Sequence, residues 1–367
     1  MAESVAEAIC SFRNWALAIA LRAPPRSQPL GIAEVCRKSL PGIVPPEDLP
    51  GSRLFEEFCG DTIKRWQLGD RVIKAKVTRI QPKSGRFRLW FEDGKSAIAR
   101  RVIVAAGSGK PHLPAWANQI QTQHPAERIR HSHQIDLQNL QLQGEQILIV
   151  GGGLTSGHLA VGATARGAKV LLMTRRYFQE KLFDAEPGWL GPKYLKGFAA
   201  EPDWQKRWEI IQQARNGGSM TPEIMTQLRR LSCSEKLTFH GQCEVVGVRW
   251  ENNRWTVDCS SGEKLFVDRI WLATGTKLDI AAEPMFKEML ETHPIEIVKG
   301  LPVLDKHLRW PGCELFLTGG LAALQVGPVA RNLSGARMAC DRIVPAIVKS
   351  SIALSPAIIS QQSLVIS

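Results

Sequence analysis

The 367 residues, 44% of them apolar, are enough for two domains that each bury a full core. The net charge of +12 is spread along the chain in short pairs such as Arg100-Arg101, Arg175-Arg176 and Arg229-Arg230, and no nucleic-acid-binding motif accompanies it. The excess therefore suits an anionic small molecule rather than a polynucleotide. Cys10, Cys36, Cys59, Cys233, Cys243, Cys259, Cys313 and Cys340 stand singly without a C-x-x-C, which excludes a zinc ribbon and a vicinal redox dithiol and points to a reducing, cytoplasmic compartment.

At the N-terminus, Glu3 and Glu7 precede an apolar run at 15–21 that Arg22 closes. Acid-first flanks do not make a signal peptide, and the run is too short for a membrane span, so an amphipathic helix is expected. Pro24-Pro25 and the prolines of 41–50 then punctuate the chain as irregular connections. Residues 77–107 read as alternating strand, polar turn, alternating strand, Gly-containing turn, and an apolar strand running into Ala106-Gly107, which is a small β-meander. Pro111 and Pro114 mark another irregular stretch. In His131-Ser132-His133 the two imidazoles lack a third ligand at metal spacing, so a polar connection between domains is expected and no metal site.

A buried-type strand at 146–150 leads through Gly151-Gly152-Gly153-Leu154-Thr155-Ser156 into a helical stretch at 155–166, and the next strand spans 168–173. This is a βαβ unit carrying G-x-G-x-x-S. Gly151 permits the tight turn, Gly153 lets backbone approach a pyrophosphate, and Ser156 lets helix and strand pack closely. The N–H groups of this turn, including those of Leu154 and Thr155, face phosphates at the helix N-terminus. The second strand ends in Thr174-Arg175-Arg176, where a carboxylate would take the ribose hydroxyl of NAD. Two guanidinium groups favour a 2′-phosphate instead, hence NADPH over NADH. Residues 178–202 form a long insertion with Trp189, Tyr194 and Phe198, either a lid or a small core of its own, before helices at 203–215 and 222–231. Residues 245–275 then repeat 77–107 without a gap at a constant offset of 168, so that Ala273-Thr274-Gly275 lies over Ala105-Ala106-Gly107. The same offset puts the counterpart of Gly151 upstream of Met1, and no G-x-G-x-x-G occurs in residues 1–75. The chain is accordingly expected to begin inside its first nucleotide-binding half.

Leu21-Arg22-Ala23-Pro24, Phe55-Glu56-Glu57-Phe58, Val104-Ala105-Ala106-Gly107, the G-x-G-x-x-S turn, Ala273-Thr274-Gly275 and Leu315-Phe316-Leu317-Thr318-Gly319-Gly320 together resemble the FAD- and NAD(P)-dependent oxidoreductases, most nearly the flavin-containing monooxygenase and lysine/ornithine N-hydroxylase branch. The resemblance spans about residues 15–345. It implies a two-dinucleotide-binding-domain α/β flavoprotein fold, Rossmann-like and three-layer ββα, with the first domain N-terminally incomplete. It also implies cofactor contacts from Ala106, Gly107, Thr274, Gly275, Gly319, Gly320, Gln325, Gly327 and Pro328, the last group on a segment that meets the flavin ahead of a helix near Ala330. Members usually carry Gly-Asp where this chain has Gly319-Gly320, which removes a carboxylate acceptor from the FAD site.

The expected organisation is a discontinuous FAD-type domain of 1–140 plus 295–350, an NADPH-binding domain of 141–294, and a loosely held tail of 351–367. Two functions stay open. One is an FAD-dependent, NADPH-using oxidoreductase of monooxygenase type acting on an unspecified small molecule, in which the cofactors carry the redox chemistry and no catalytic side chain is named. The other is a non-catalytic or partnered remnant that keeps NADPH but binds FAD poorly, with a second polypeptide or another copy of the chain supplying the missing strand.

Overall fold

A computed structural model of the chain describes residues 52–348 and the backbone of 43–44 and 49–50, apart from residues 108, 122 and 216. The expected helix at 15–21, the Leu21–Pro24 motif and the tail at 351–367 lie outside the described residues.

The repeat is reproduced pair for pair. Strands Val77–Lys83, Arg86–Phe91 and Ser96–Ala99 make one antiparallel meander, and Val245–Glu251, Arg254–Cys259 and Lys264–Val267 make the other. Val77 faces Phe91 as Val245 faces Cys259, and Phe87 faces Ala99 as Trp255 faces Val267. Each first strand even carries a register irregularity at the same step, between Val77 and Arg79 and between Val245 and Gly247. Register of this kind comes from the side-chain period of two: Phe87 and Leu89, like Trp255 and Val257, point into a core, and a slip by one residue would expose them.

The apolar strand that ends each copy enters a parallel sheet. Val102–Val104 pairs with Leu315–Leu317. In the second copy, five parallel strands assemble: β1 (Ile129–His131), β2 (Gln146–Val150), β3 (Lys169–Thr174), β4 (Leu237–Gly241) and β5 (Arg269–Leu272), in spatial order β4-β3-β2-β5-β1. β5 pairs in parallel with β1 as Val102–Val104 pairs in parallel with Leu315–Leu317, so the last strand of each copy has a parallel neighbour from outside the repeat. Arg101 and Arg269, equivalent by the offset, each hold a glutamate beside the incoming strand, Glu314 and Glu145 respectively.

The sheet is covered on both faces, as parallel sheets are. Ile147, Ile149, Val170, Leu172 and Trp271 pack under helices α1 (Leu154–Thr164) and α4 (Pro222–Cys233). Leu148, Leu171, Met173, Ile270 and Leu272 pack against Trp255, Val257 and Leu265 of the second meander. Between α1 and α4 in the chain lie α2 (Pro192–Ala200) and α3 (Trp204–Arg215). Helices α1 and α4, the parallel sheet and the second meander make the three-layer ββα arrangement expected from the sequence. A separate core joins the first meander, Val102–Val104, Leu315–Leu317 and α5 (Leu333–Val348). The helix expected near Ala330 thus begins at Leu333, after the short 3₁₀ turn Pro328–Arg331. The insertion at 178–202 is not a bare loop: α2 lies within it, Phe198 is buried in the separate core, and Trp189 and Trp204 pack against that core.

Trp271, 1% exposed on the interior strand β5, is buried in the core between the sheet and the helical layer. Trp271→Ala is expected to destabilise the chain by about 3–5 kcal/mol, read from the urea unfolding midpoint. An unchanged midpoint would show that this layer does not limit stability.

Candidate functional site

The C-terminal ends of β2, β3 and β5 open onto a cleft of about 1310 Å³. Open parallel sheets place ligands at such an edge. Its walls bring together the Gly-rich turn, the end of β3, the Ala-Thr-Gly turn after β5, and residues beside the separate core, including Gly320, Pro328 and Arg331.

The turn is built by close backbone approach. A side chain on Gly151 would run into the carbonyl of Ala273, and the Gly151 N–H donates to Met173 O at 2.8 Å. Gly153 is the N-cap of α1 with extended backbone, and the Ser156 hydroxyl donates to its carbonyl at 2.6 Å. Ser156 is fully buried, so it closes the turn and is not a cleft residue. Gly151, Gly153, Leu154 and Thr155 line the cleft, and the free N–H groups of the first turn of α1 give that wall a positive end. Arg175 and Arg176 follow β3, exposed on the same wall, and no carboxylate among the described residues forms an ion pair with either. Lys181, Arg215, Lys277, Lys299 and Arg331 add further positive charge, against Asp184 and Glu244. Gly217 and Gly218, after α3, arch over the turn: a Cβ on Gly218 would lie 3.2 Å from Gly153 Cα, and its φ of +101° suits glycine.

The Thr274-Gly275 wall is fixed by histidines. The Gly275 carbonyl accepts the His112 N–H at 2.9 Å and lies 3.0 Å from His131 Nε2. His131 Nδ1 accepts the His133 N–H at 3.4 Å, which makes Nε2 the protonated nitrogen of a neutral ring. Burial, then the neighbouring His133 and His112, hold its pKa below the ordinary value, with the Gly275 carbonyl acting in the opposite sense. Thr274 Oγ1 donates to the His112 carbonyl. Ser132 and His133 line the cleft, so the polar connection borders it while His131 anchors the turn from beneath.

Thr274, Gly275, Gly320 and Pro328 also line the cleft; Ala106, Gly107, Gly319, Gln325 and Gly327 do not. A Cβ on Gly319 would lie 3.7 Å from Ala106 O, so these two meet behind the wall. Gln325 is buried and donates from Nε2 to Leu304 O at 3.1 Å, which makes it a core tie. Cys243 and Cys259, which stand singly in the sequence, come together at the cleft wall, where Cys243 lines the cleft and Cys259 lies behind it. Burial first, and Cys243 beside it, push the Cys259 thiol up to about 12, so it is held protonated. Arg215, Arg331 and Gly217-Gly218 carry no motif that marks them in the sequence, although a Gly-Gly pair directly after a helix is a usable sign.

The profile of the Pyridine nucleotide-disulphide oxidoreductase family matches residues 31–332. The chain belongs to that family. Its fold is shared with flavoprotein N-hydroxylases. Ornithine hydroxylase (PvdA) from Pseudomonas aeruginosa superposes with a TM-score of 0.63 at 16% identity, covering 81% of this chain and 76% of that one. FAD-bound DfoA, the cadaverine monooxygenase of desferrioxamine biosynthesis in Erwinia amylovora, gives 0.67 at 15% identity over 91% and 80%. L-Lysine 6-monooxygenase from Pseudomonas syringae gives 0.65 at 17% identity over 82% and 77%. No curated protein sequence matches the chain.

The neutral state of buried His131 has a pH consequence. The unfolded ring takes up a proton near ~6.5 while the folded ring resists, so stability is full above that pH and falls as pH drops below it. The melting temperature is expected to decline more steeply between about pH 7 and 5 in the wild type than in His131→Gln. Parallel slopes would remove His131 from the acid response.

Proposed function

We propose that the cleft binds NADPH in preference to NADH, and that the chain uses this nucleotide as reductant in the flavin-dependent chemistry of its family. The observation that carries the reading is the convergence on one wall of the Gly151–Thr155 turn, the N-terminus of α1 and two arginines at the end of β3 that have no ion-pair partner among the described residues, with no carboxylate at that strand end. The free N–H groups suit a pyrophosphate, and Arg175 and Arg176 suit a 2′-phosphate. The residues fit this nucleotide. A neighbour in fold, the ornithine N-hydroxylase of Kutzneria sp. 744, carries reduced FAD, NADP+ and L-ornithine together.

The flavin side fits less well. Gly320 offers no carboxylate, and a Cβ there would fall 2.5 Å from Leu278 Cδ1 and 3.1 Å from Arg331 Nε. That observation favours a second reading, a nucleotide-binding member that does not retain FAD. The two separate on the visible absorbance of the purified chain: stoichiometric flavin supports the enzyme, and colourless protein that still binds NADPH supports the second reading.

Arg175→Ala with Arg176→Ala is expected to weaken NADPH by about tenfold or more, since each charge-assisted contact is worth roughly 1.5–3 kcal/mol, and to leave NADH nearly unchanged. Calorimetric titration of both nucleotides decides, and equal weakening excludes a 2′-phosphate role.

Gly153 has room on the protein side, because a Cβ there would meet only Gly218 Cα at 3.8 Å. Gly153→Ala should therefore keep the wild-type melting temperature, while Gly153→Val abolishes NADPH binding by filling the space where backbone meets pyrophosphate. Wild-type affinity in the valine variant would reduce the segment to a plain turn.

A further inference from the structure

Beyond the nucleotide wall, the cleft holds a second concentration of positive charge. Arg331 ends the 3₁₀ turn Pro328–Arg331 and lies over Gly320, in space that a side chain at 320 would contest. Solvent reaches it through the cleft, yet protein surrounds it closely enough that burial, then the nearby Arg215, push its pKa down, with Asp184 acting against both. Its guanidinium makes one side-chain hydrogen bond among the described residues, from Nη2 to Thr276 Oγ1 at 3.3 Å. Arg215 is committed differently: Nη1 donates to Pro328 O at 3.1 Å and Nη2 is ion-paired with Asp184. One carboxylate thus lies near two guanidinium groups that both line the cleft, and Arg331 is the one that has no ion-pair partner among the described residues. An arginine keeps its charge even when desolvated, and its planar fork matches an oxyanion through two parallel N–H bonds.

We propose that Arg331, supported by Arg215 and Thr276, forms an oxyanion-binding subsite on the wall beside Gly320, distinct from Arg175 and Arg176, that receives the carboxylate or phosphate of a small organic substrate. The absence of a side chain at Gly320 is what lets Arg331 lie across the wall, and Leu278 supplies an apolar neighbour for the non-ionic part of such a ligand.

The test is calorimetric titration of the full chain, saturated with NADP+, with sodium acetate and separately with inorganic phosphate at constant ionic strength. Saturable binding of either probe is expected, and the tighter one identifies the oxyanion as carboxylate or phosphate. Arg331→Ala should weaken it about tenfold or more and Arg331→Lys should restore part of the loss, while NADP+ affinity stays within about twofold. Arg331→Gln keeps the bulk without the charge and serves if the alanine variant does not fold. Arg175→Ala with Arg176→Ala should leave the acetate and phosphate titrations of the free chain dependent on Arg331. If NADP+ does not bind at all, the nucleotide reading fails, and the same titration of the free chain against Arg331→Gln still judges this subsite. The proposal is overturned if neither probe binds, if the arginine variants bind them as the wild type does, or if Arg331→Gln weakens NADP+ as much as the probes.

Discussion

The cleft depends on one tie between two lengths of chain that leave the parallel sheets. Lys110-Pro111, after the first copy of the repeat, pairs antiparallel with Thr276-Lys277, after the second. Gly109 makes this possible, since any side chain there would strike the carbonyl of Lys277. The His112 N–H then reaches Gly275 O, and His131 reaches it from beneath. The Ala-Thr-Gly turn is thereby held by residues that precede the nucleotide-type sheet and by the end of its edge strand β1. This also sets its position relative to the Gly-rich turn, because the side of Gly151 abuts Ala273. The lip of the cleft is therefore set by backbone contacts together with His131 and Thr274, none of which carries a charge, so other side chains decide the charge of the walls.

Charge is where this chain departs most from what the fold leads one to expect. The Gly-rich turn and the strand-end arginines make a coherent anion wall, and the opposite wall is basic as well, through Arg331 and Lys277. Buried guanidinium groups elsewhere are neutralised: Arg309, 1% exposed, pairs with Asp305 and Glu314, and Arg269 pairs with Glu145. Burial acts to raise the Glu145 carboxyl, but Arg269 and Arg128 together bring it below its usual range. The Arg309 and Arg269 guanidinium groups thus carry carboxylate partners, and Arg207 and Arg342 donate to backbone carbonyls instead, whereas Arg175, Arg176 and Arg331 at the cleft have no ion-paired carboxylate among the described residues.

The fold was legible because its signals are local and repeated. The offset between the two meanders, the βαβ punctuation around Gly151 and the arginines after Thr174 each sit within short stretches whose periodicity survives in space. Helix ends were read to within a few residues: the stretch expected at 155–166 is Leu154–Thr164, and that at 203–215 is Trp204–Arg215. Meetings across the chain were not legible. Arg331 and Thr276 are 55 positions apart, and Cys243 meets Cys259 only because Val245 pairs with Cys259 across the meander. Gln325 carries a cofactor-contact motif, but that its Nε2 would donate to Leu304 O from a buried helical turn could not be read from its neighbours in sequence. The insertion at 178–202 likewise concealed which core its aromatic residues would join.

Gly153 and Gly218 face one another backbone to backbone, with Arg176 lying against Gly217. A contact made this way has no rotamers on either side, so its spacing changes only if the main chain itself moves. The closeness of this segment to the Gly-rich turn is thus set by the torsions at Gly217 and Gly218, whose positive φ values of 67° and 101° suit glycine.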